Sequence, residues 1–150
     1  MKDVKFEIEF VTHCLATGGD PEQDLPDTFA RDSSDHIIMQ KTWFHSAFTR
    51  AIELARLQGQ MKAEDIQIDP TITAETERYE RRFDADAFRI HEAIPPGTKV
   101  SFEGMAEDNV DQKMLKAVLE RMGKYVGLSP YGFRLGFGRF HVVSVEVQKD

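Results

Sequence analysis

GTKVSFEGMAEDNVDQKMLKAVLERMGKYVGLSPYGFRLGFGRFHVVSVEV, residues 97–147, holds a complete strand–helix–strand passage. From Thr98 to Met105 the apolar Val100 and Phe102 fall on one face of an extended chain, the two-residue period of a half-buried strand. Asp108 then offers a helix cap, with Asp111 placed to favour the positive end of the helix dipole. The apolar positions Val110, Met114, Leu115, Val118, Leu119 and Met122 recur at helical spacing, and Gly123 supplies the stop. After a glycine-rich segment, a last strand runs from Arg139 to Val147. Its apolar phase changes from Phe140 and Val142 to Val143, Val145 and Val147, which predicts a bulge or burial on both sides.

Upstream, the same grammar appears once more. Val4, Phe6, Ile8 and Phe10 alternate with Lys5, Glu7 and Glu9, a half-buried strand. Residues 15–35, rich in Gly, Pro, Asp and Ser, form a long excursion, and loops of that length commonly bind something. His36–Gln40 adds a short strand. Thr42 is placed to cap a helix whose stripe is Phe44, Phe48, Ala51, Ile52 and Ala55, with Gly59 beyond it. Ile66 and Ile68 alternate in a short strand ending at Pro70. Residues 77–83 and 87–94 read as a hairpin around Asp84-Ala85-Asp86. Without insertions the order is strand, helix, strand, strand, helix, strand. This predicts an α+β fold, a ferredoxin-like (split β-α-β) sandwich with a four-stranded antiparallel sheet and two helices on one face. Residues 1–150 form one such domain, with the loop 15–35 and the inserted hairpin 77–94.

The 150 residues, 41% of them apolar, match a soluble globular chain with one sizeable core. No run approaches the roughly 20 apolar residues of a spanning helix, and the start lacks a signal-peptide pattern, so a cytoplasmic protein without a membrane role is expected. Cys14 stands alone and excludes an internal disulfide or a thiolate zinc cluster. The net charge of −7 disfavours a chain that coats nucleic acid with its whole surface. Charge is uneven, however. Lys113, Lys116, Arg121, Lys124, Arg134 and Arg139 face only Glu120 across 112–141, whereas Asp20, Glu22, Asp24, Asp27, Asp32 and Asp35 crowd around Arg31. Either these are two solvated faces, or the basic segment holds a phosphate chain and the acidic one meets a neighbouring subunit.

Residues 127–140 carry Gly127, Gly132, Gly136 and Gly138 between Tyr131, Phe133, Phe137, Arg134 and Arg139. Clustered glycines let another backbone approach closely. Two readings stay open: the N–H groups cradle a phosphate while arginines and aromatics flank it, or the segment is a tight corner whose aromatics plug the core. The spacing G-x-x-x-x-G-x-x-x-G-x-G-R-F before the last strand resembles the glycine-rich loop of the RAMP superfamily, RNA-binding proteins of CRISPR complexes. Residues 96–104, PGTKVSFEG, are similar to a strand found there, and small phage-encoded proteins have a similar ending. The resemblance covers about 97–147 and implies a ferredoxin-like domain in which Gly127, Gly136, Gly138 and Arg139 shape or line an RNA path.

Arg78-Tyr79-Glu80-Arg81-Arg82-Phe83 interleaves cations with aromatics on a strand, either a stacking-and-phosphate platform or a charged edge that blocks sheet-to-sheet association. The expected nucleic-acid contacts are therefore Lys113, Lys116, Lys124, Gly127, Tyr131, Arg134, Gly136, Gly138, Arg139, Arg78, Arg81 and Arg82. No histidine pair has metal-ligand spacing, and Asp20, Asp24 and Asp27 lack the glycine and distal glutamate of an EF-hand, so neither metal nor cofactor is expected. The primary expectation is a non-catalytic module binding RNA or single-stranded nucleic acid inside a multi-subunit or homo-oligomeric complex. Two alternatives stand beside it. One is a protein-assembly module with no nucleic-acid role. The other is a metal-independent endoribonuclease using His45 with Tyr125 or Tyr131.

Overall fold

The alternation at the start of the chain folds into β1 (Lys2–Phe10), which buries Val4, Phe6, Ile8 and Phe10 and turns Asp3, Lys5, Glu7 and Glu9 outward. A computed structural model describes residues 1–17, 27–82, 87–129, 131 and 135–148. Short strands β2 (Cys14–Leu15), β3 (Ala30–Arg31) and β4 (Ile37–Ile38) precede helix α1 (Lys41–Leu54). After a 3-10 turn at Ala63–Asp65 come β5 (Ile66–Ile68), β6 (Thr71–Ile72), β7 (Glu77–Arg82), β8 (Phe88–Ile94) and β9 (Lys99–Ala106). Helix α2 (Gln112–Arg121) continues into a π-helical turn, Met122–Val126, and β10 (Phe140–Val147) closes the fold.

The main sheet has the order β10-β1-β9-β5, every pair antiparallel. Its inner face meets both helices. Phe102 of β9 packs on Phe6 at 5.2 Å and on Phe44 of α1 at 5.1 Å between ring centroids. Leu115, Val118 and Leu119 of α2 join the same core. Helical spacing and strand alternation thus point at one another, which is what buries enough apolar surface to offset chain entropy. The phase change in β10 is a bulge: Glu7 pairs with Ser144 and Ile8 with Val142, so Val143 is the extra residue and lies exposed.

The expectation of one sheet needs correction. Among the described residues the strands form three sheets. The hairpin β7–β8 joins β2 in the order β2-β8-β7, and β3, β4 and β6 make a third small sheet. The stretch 15–35 is accordingly no plain loop where it is described: Leu15 pairs with Ala93, Ala30 with Ile38 and Arg31 with Ile37. The hairpin turn Asp84-Ala85-Asp86 lies outside the described residues. Two caps also differ. Asp111, not Asp108, accepts the Met114 N–H at 2.7 Å and starts α2. Helix α1 begins at Lys41 after Gln40, with no side-chain cap, so Thr42 lies inside its first turn. Among the described residues no helix is long and apolar enough to cross a membrane.

Candidate nucleic-acid interface

The glycine-rich segment leaves the π-helical turn through Gly127, whose φ of 85° and ψ of 163° belong to a region that side chains hardly enter. The chain then folds back on itself. Leu128 N–H donates to Gly138 O at 3.0 Å, and Gly127 N–H donates to Met122 O at 2.7 Å. Gly138 N–H donates to His13 O at 2.7 Å, and Arg139 N–H to the Thr12 hydroxyl at 2.9 Å. Thr12 in turn donates to Gly136 O at 2.7 Å, and the Cys14 thiol donates to Leu128 O. Burial pushes that thiol well above its ordinary pKa, so Cys14 is no nucleophile near neutrality. The N–H groups at 127, 128, 138 and 139 are therefore committed within the chain, which at those positions favours the tight corner over the phosphate cradle. What Gly127 and Gly138 supply is close approach: a Cβ on Gly127 would lie 2.5 Å from Phe137 O, and one on Gly138 3.0 Å from the Leu128 backbone. Gly136, half-buried with φ 79°, faces open space.

The cations divide into two groups. Lys113, Lys116 and Lys124 are exposed, and the spacing of 113, 116, 120 and 124 sets them with Glu120 along one face of α2 and its π-helical extension. Arg139 is half-buried and its guanidinium donates to Lys124 O. A groove of about 460 Å³ is lined by Lys124, Arg139, His141, Glu120 and Thr12. Arg134 lies outside the described residues. On the hairpin, Arg78 and Arg82 point outward, Arg82 onto Glu80 at 2.5 Å, whereas Tyr79 and Arg81 point inward onto the glycine-rich segment. The Arg81 guanidinium lies 4.4 Å above the Tyr131 ring and donates through Nε to His91 Nε2 at 3.1 Å. Tyr79 packs on Phe137 at 5.5 Å and His13 at 4.7 Å. The two motifs are thus brought together, but through contacts that use Arg81, Tyr131 and Phe137 within the chain.

A buried cluster beneath that contact was not legible beforehand. His91, fully buried, donates from Nδ1 to Ala16 O at 2.7 Å, which leaves Nε2 to accept from Arg81 and defines a neutral imidazole. Burial pushes its pKa down, helped by Arg81 and Arg89 against the opposing pull of Ala16 O and Asp27. Asp27 bridges His91 in parallel fashion and accepts from Arg89 at 2.9 Å. Next to it, Glu92 accepts from Arg31 Nη1 and Nη2 at 2.9 and 2.5 Å, from the Thr76 hydroxyl at 2.7 Å and from Phe29 N–H at 2.9 Å. Burial alone would raise the Glu92 carboxyl, but those donors together bring it down to about 2. The described end of the acidic stretch is therefore fastened to β8 of its own chain, an arrangement that neither a solvated face nor a contact with a neighbouring subunit describes. Asp32 caps its own exposed turn, accepting from the Ser34 and His36 N–H groups.

A second groove, about 720 Å³, runs between α1 and the start of the glycine-rich segment. Its floor is Thr42, Trp43, Ser46 and Arg50, and Gly127 and Ser129 form the opposite wall. The only sequence signal for it was the polar run Thr42, Ser46, Thr49 and Glu53 along one helix face, a pattern shared with any solvated surface. His45 borders the groove and meets Glu64 Oε1 at 2.9 Å, a contact that pulls the Glu64 carboxyl below its ordinary pKa. Tyr131 is engaged by Arg81 and His91, and no tyrosine lines the groove with His45 among the described residues. Among those residues, too, no three His, Cys, Asp or Glu side chains gather around a potential metal position.

An α+β chain of two helices and antiparallel sheets, with cations along one helix and a polar groove on the other, is thus the class that the geometry defines. No protein-family model matches the sequence, and no curated protein matches it. Among solved structures, the chain is similar to one in the cryo-EM structure of the Type III-B Cmr-beta bound to cognate target RNA, with a TM-score of 0.68 and 15% identity. The match covers 99% of this chain and 61% of the other, so the protein spans less than two thirds of that neighbour's length. At such identity the likeness speaks to the fold.

Proposed function

We propose that the chain is a non-catalytic RNA-binding module of RAMP-like type, a single ferredoxin-like (split β-α-β) domain acting in the cytoplasm as part of a multi-subunit complex. The observation that carries this reading is the fold likeness, over 99% of the chain, to a component of an assembly bound to target RNA. The main-sheet order β10-β1-β9-β5 with α1 and α2 on one face supports the ferredoxin-like assignment. RNA runs along the helical side, with its backbone held by Lys113, Lys116, Lys124 and Arg139, and Arg134, outside the described residues, keeps the contact role proposed from the sequence. Arg78 and Arg82 extend the cationic surface from the hairpin, while Gly127, Gly136, Gly138, Tyr131 and Arg81 shape the path from behind.

Anisotropy of a labelled single-stranded RNA, titrated at several salt concentrations, tests the path. Each phosphate contact to a single strand contributes about 0.7 to the slope of log affinity against log salt. Replacing Lys113, Lys116 and Lys124 together by Gln is expected to weaken binding to every sequence and to flatten that slope by about 2. An unchanged slope removes RNA from this face. The committed N–H groups of the glycine-rich segment favour a second reading, a protein-assembly module in which the segment is only a corner. Self-association by light scattering, in nuclease-treated protein that binds no RNA, would select it.

A further inference from the structure

We propose that the groove between α1 and Gly127–Ser129 is a subsite for one unpaired nucleobase, stacked on Trp43. This inference deepens the RNA-binding reading and rests on it. Trp43 is half-buried: part of its ring leans on the hydrophobic core, and the remainder lines the groove. An indole fixed from behind is a stacking surface that loses little entropy on binding, and every base presents a π face to it. Around it the groove supplies what a nucleotide needs in addition. Thr42 and Ser46 bring hydroxyls to the floor, and Arg50 stands two helical turns beyond Trp43, about 10 Å along the axis. That is the reach of a flanking phosphate when the base lies on the ring. Gly127 and Ser129 form the facing wall, and the volume of about 720 Å³ falls within the range of small-ligand pockets. Glu53 at the far end sets a limit, repelling a phosphate placed past Arg50.

A base inside a duplex is already stacked on both sides, so the subsite accepts single strands only. Trp43 is the sole tryptophan of the chain, so its emission reports the stacking directly. The experiment follows the intrinsic fluorescence of the intact protein during titration with a short oligouridylate. A parallel titration follows anisotropy of the labelled strand, and both are repeated with the same strand annealed to oligoadenylate. The expected result is quenching that saturates together with anisotropy for the single strand and is absent for the duplex. Trp43→Ala is expected to weaken single-strand binding on the order of tenfold, and Trp43→Phe, which still stacks, to retain most of it. Binding by anisotropy with unchanged Trp43 emission overturns the subsite and leaves the RNA-binding reading standing. Absence of any anisotropy change overturns both. Because the fluorescence arm needs no substitution, the outcome does not depend on the folding of a variant.

Discussion

Gly127 and Gly136 have similar positive φ values, 85° and 79°, but meet different surroundings. A methyl group on Gly136 would enter open space, so Gly136→Ala is expected to cost only the backbone strain of about 1–2 kcal/mol. On Gly127 it would lie 2.5 Å from Phe137 O in a backbone region that only glycine occupies readily. Gly127→Ala is expected to cost on the order of 3–5 kcal/mol. Urea midpoints of the two variants check the order, and equal losses would mean that the fold-back at Leu128 and Gly138 relaxes without strain. At this scale the sequence announced an unusual path through the number of its glycines. It could not announce which acceptors meet the N–H groups of Gly138 and Arg139, because the His13 carbonyl and the Thr12 hydroxyl come from a distant part of the chain and reach them only in the folded molecule.

Strands and helices with a clear period were readable: β1, β9, α1 and α2 each place their apolar residues as the alternation or the helical stripe requires. What escaped was the pairing of short elements. Two residues, Cys14 and Leu15, carry no period, yet they hold the hairpin in a separate sheet, and the acidic run could be read as a solvated face or a partner surface because charge in one dimension does not reveal Arg89 and His91 opposite Asp27, or Glu92 opposite Arg31. That strip on β8 gives the molecule a defined response to acid. Glu92 titrates near 2 in the fold against an ordinary value of 4.5, so its contribution is complete above 4.5 and is lost as pH falls toward 2. His91, held below 6.5, binds its proton more readily in the unfolded chain, so stability begins to decline as pH drops beneath 6.5. Urea midpoints followed from pH 7 downward are expected to fall below 6.5 and more steeply below 4.5. Glu92→Gln should start from a lower stability at pH 7 and lose the steeper portion. A variant curve parallel to the wild type below 4.5 would show that the Arg31 fork contributes nothing to folding.

Over the whole molecule the charge sorts by layer. The outward face of the main sheet presents Asp3, Glu7, Glu9, Glu103 and Glu146 against Lys5 and Lys99, with Lys5 paired across the strands to both Glu103 and Glu146. Among the described residues it carries no platform of Phe, Tyr or Trp of the kind that sheet-binding RNA modules use. The helical layer presents Lys113, Lys116 and Lys124 with Glu120, and the thickness of a helix, about 10 Å, separates it from the sheet. That exceeds the Debye length of about 8 Å at physiological salt, so each face acts on a polyanion nearly independently of the other. A matched pair of double substitutions uses this separation. Lys5→Gln with Lys99→Gln, and Lys113→Gln with Lys116→Gln, change the net charge of −7 by the same two units. If the protein attracted RNA through its summed field, both would weaken binding alike. If RNA runs along the helical side, only the second pair weakens it, by an amount that shrinks as salt is raised, while the first pair leaves affinity within error of the unmodified chain. Equal weakening in the anisotropy titration would refute a localised path, because at that screening length the opposite side of the sheet has no other means of sensing the strand.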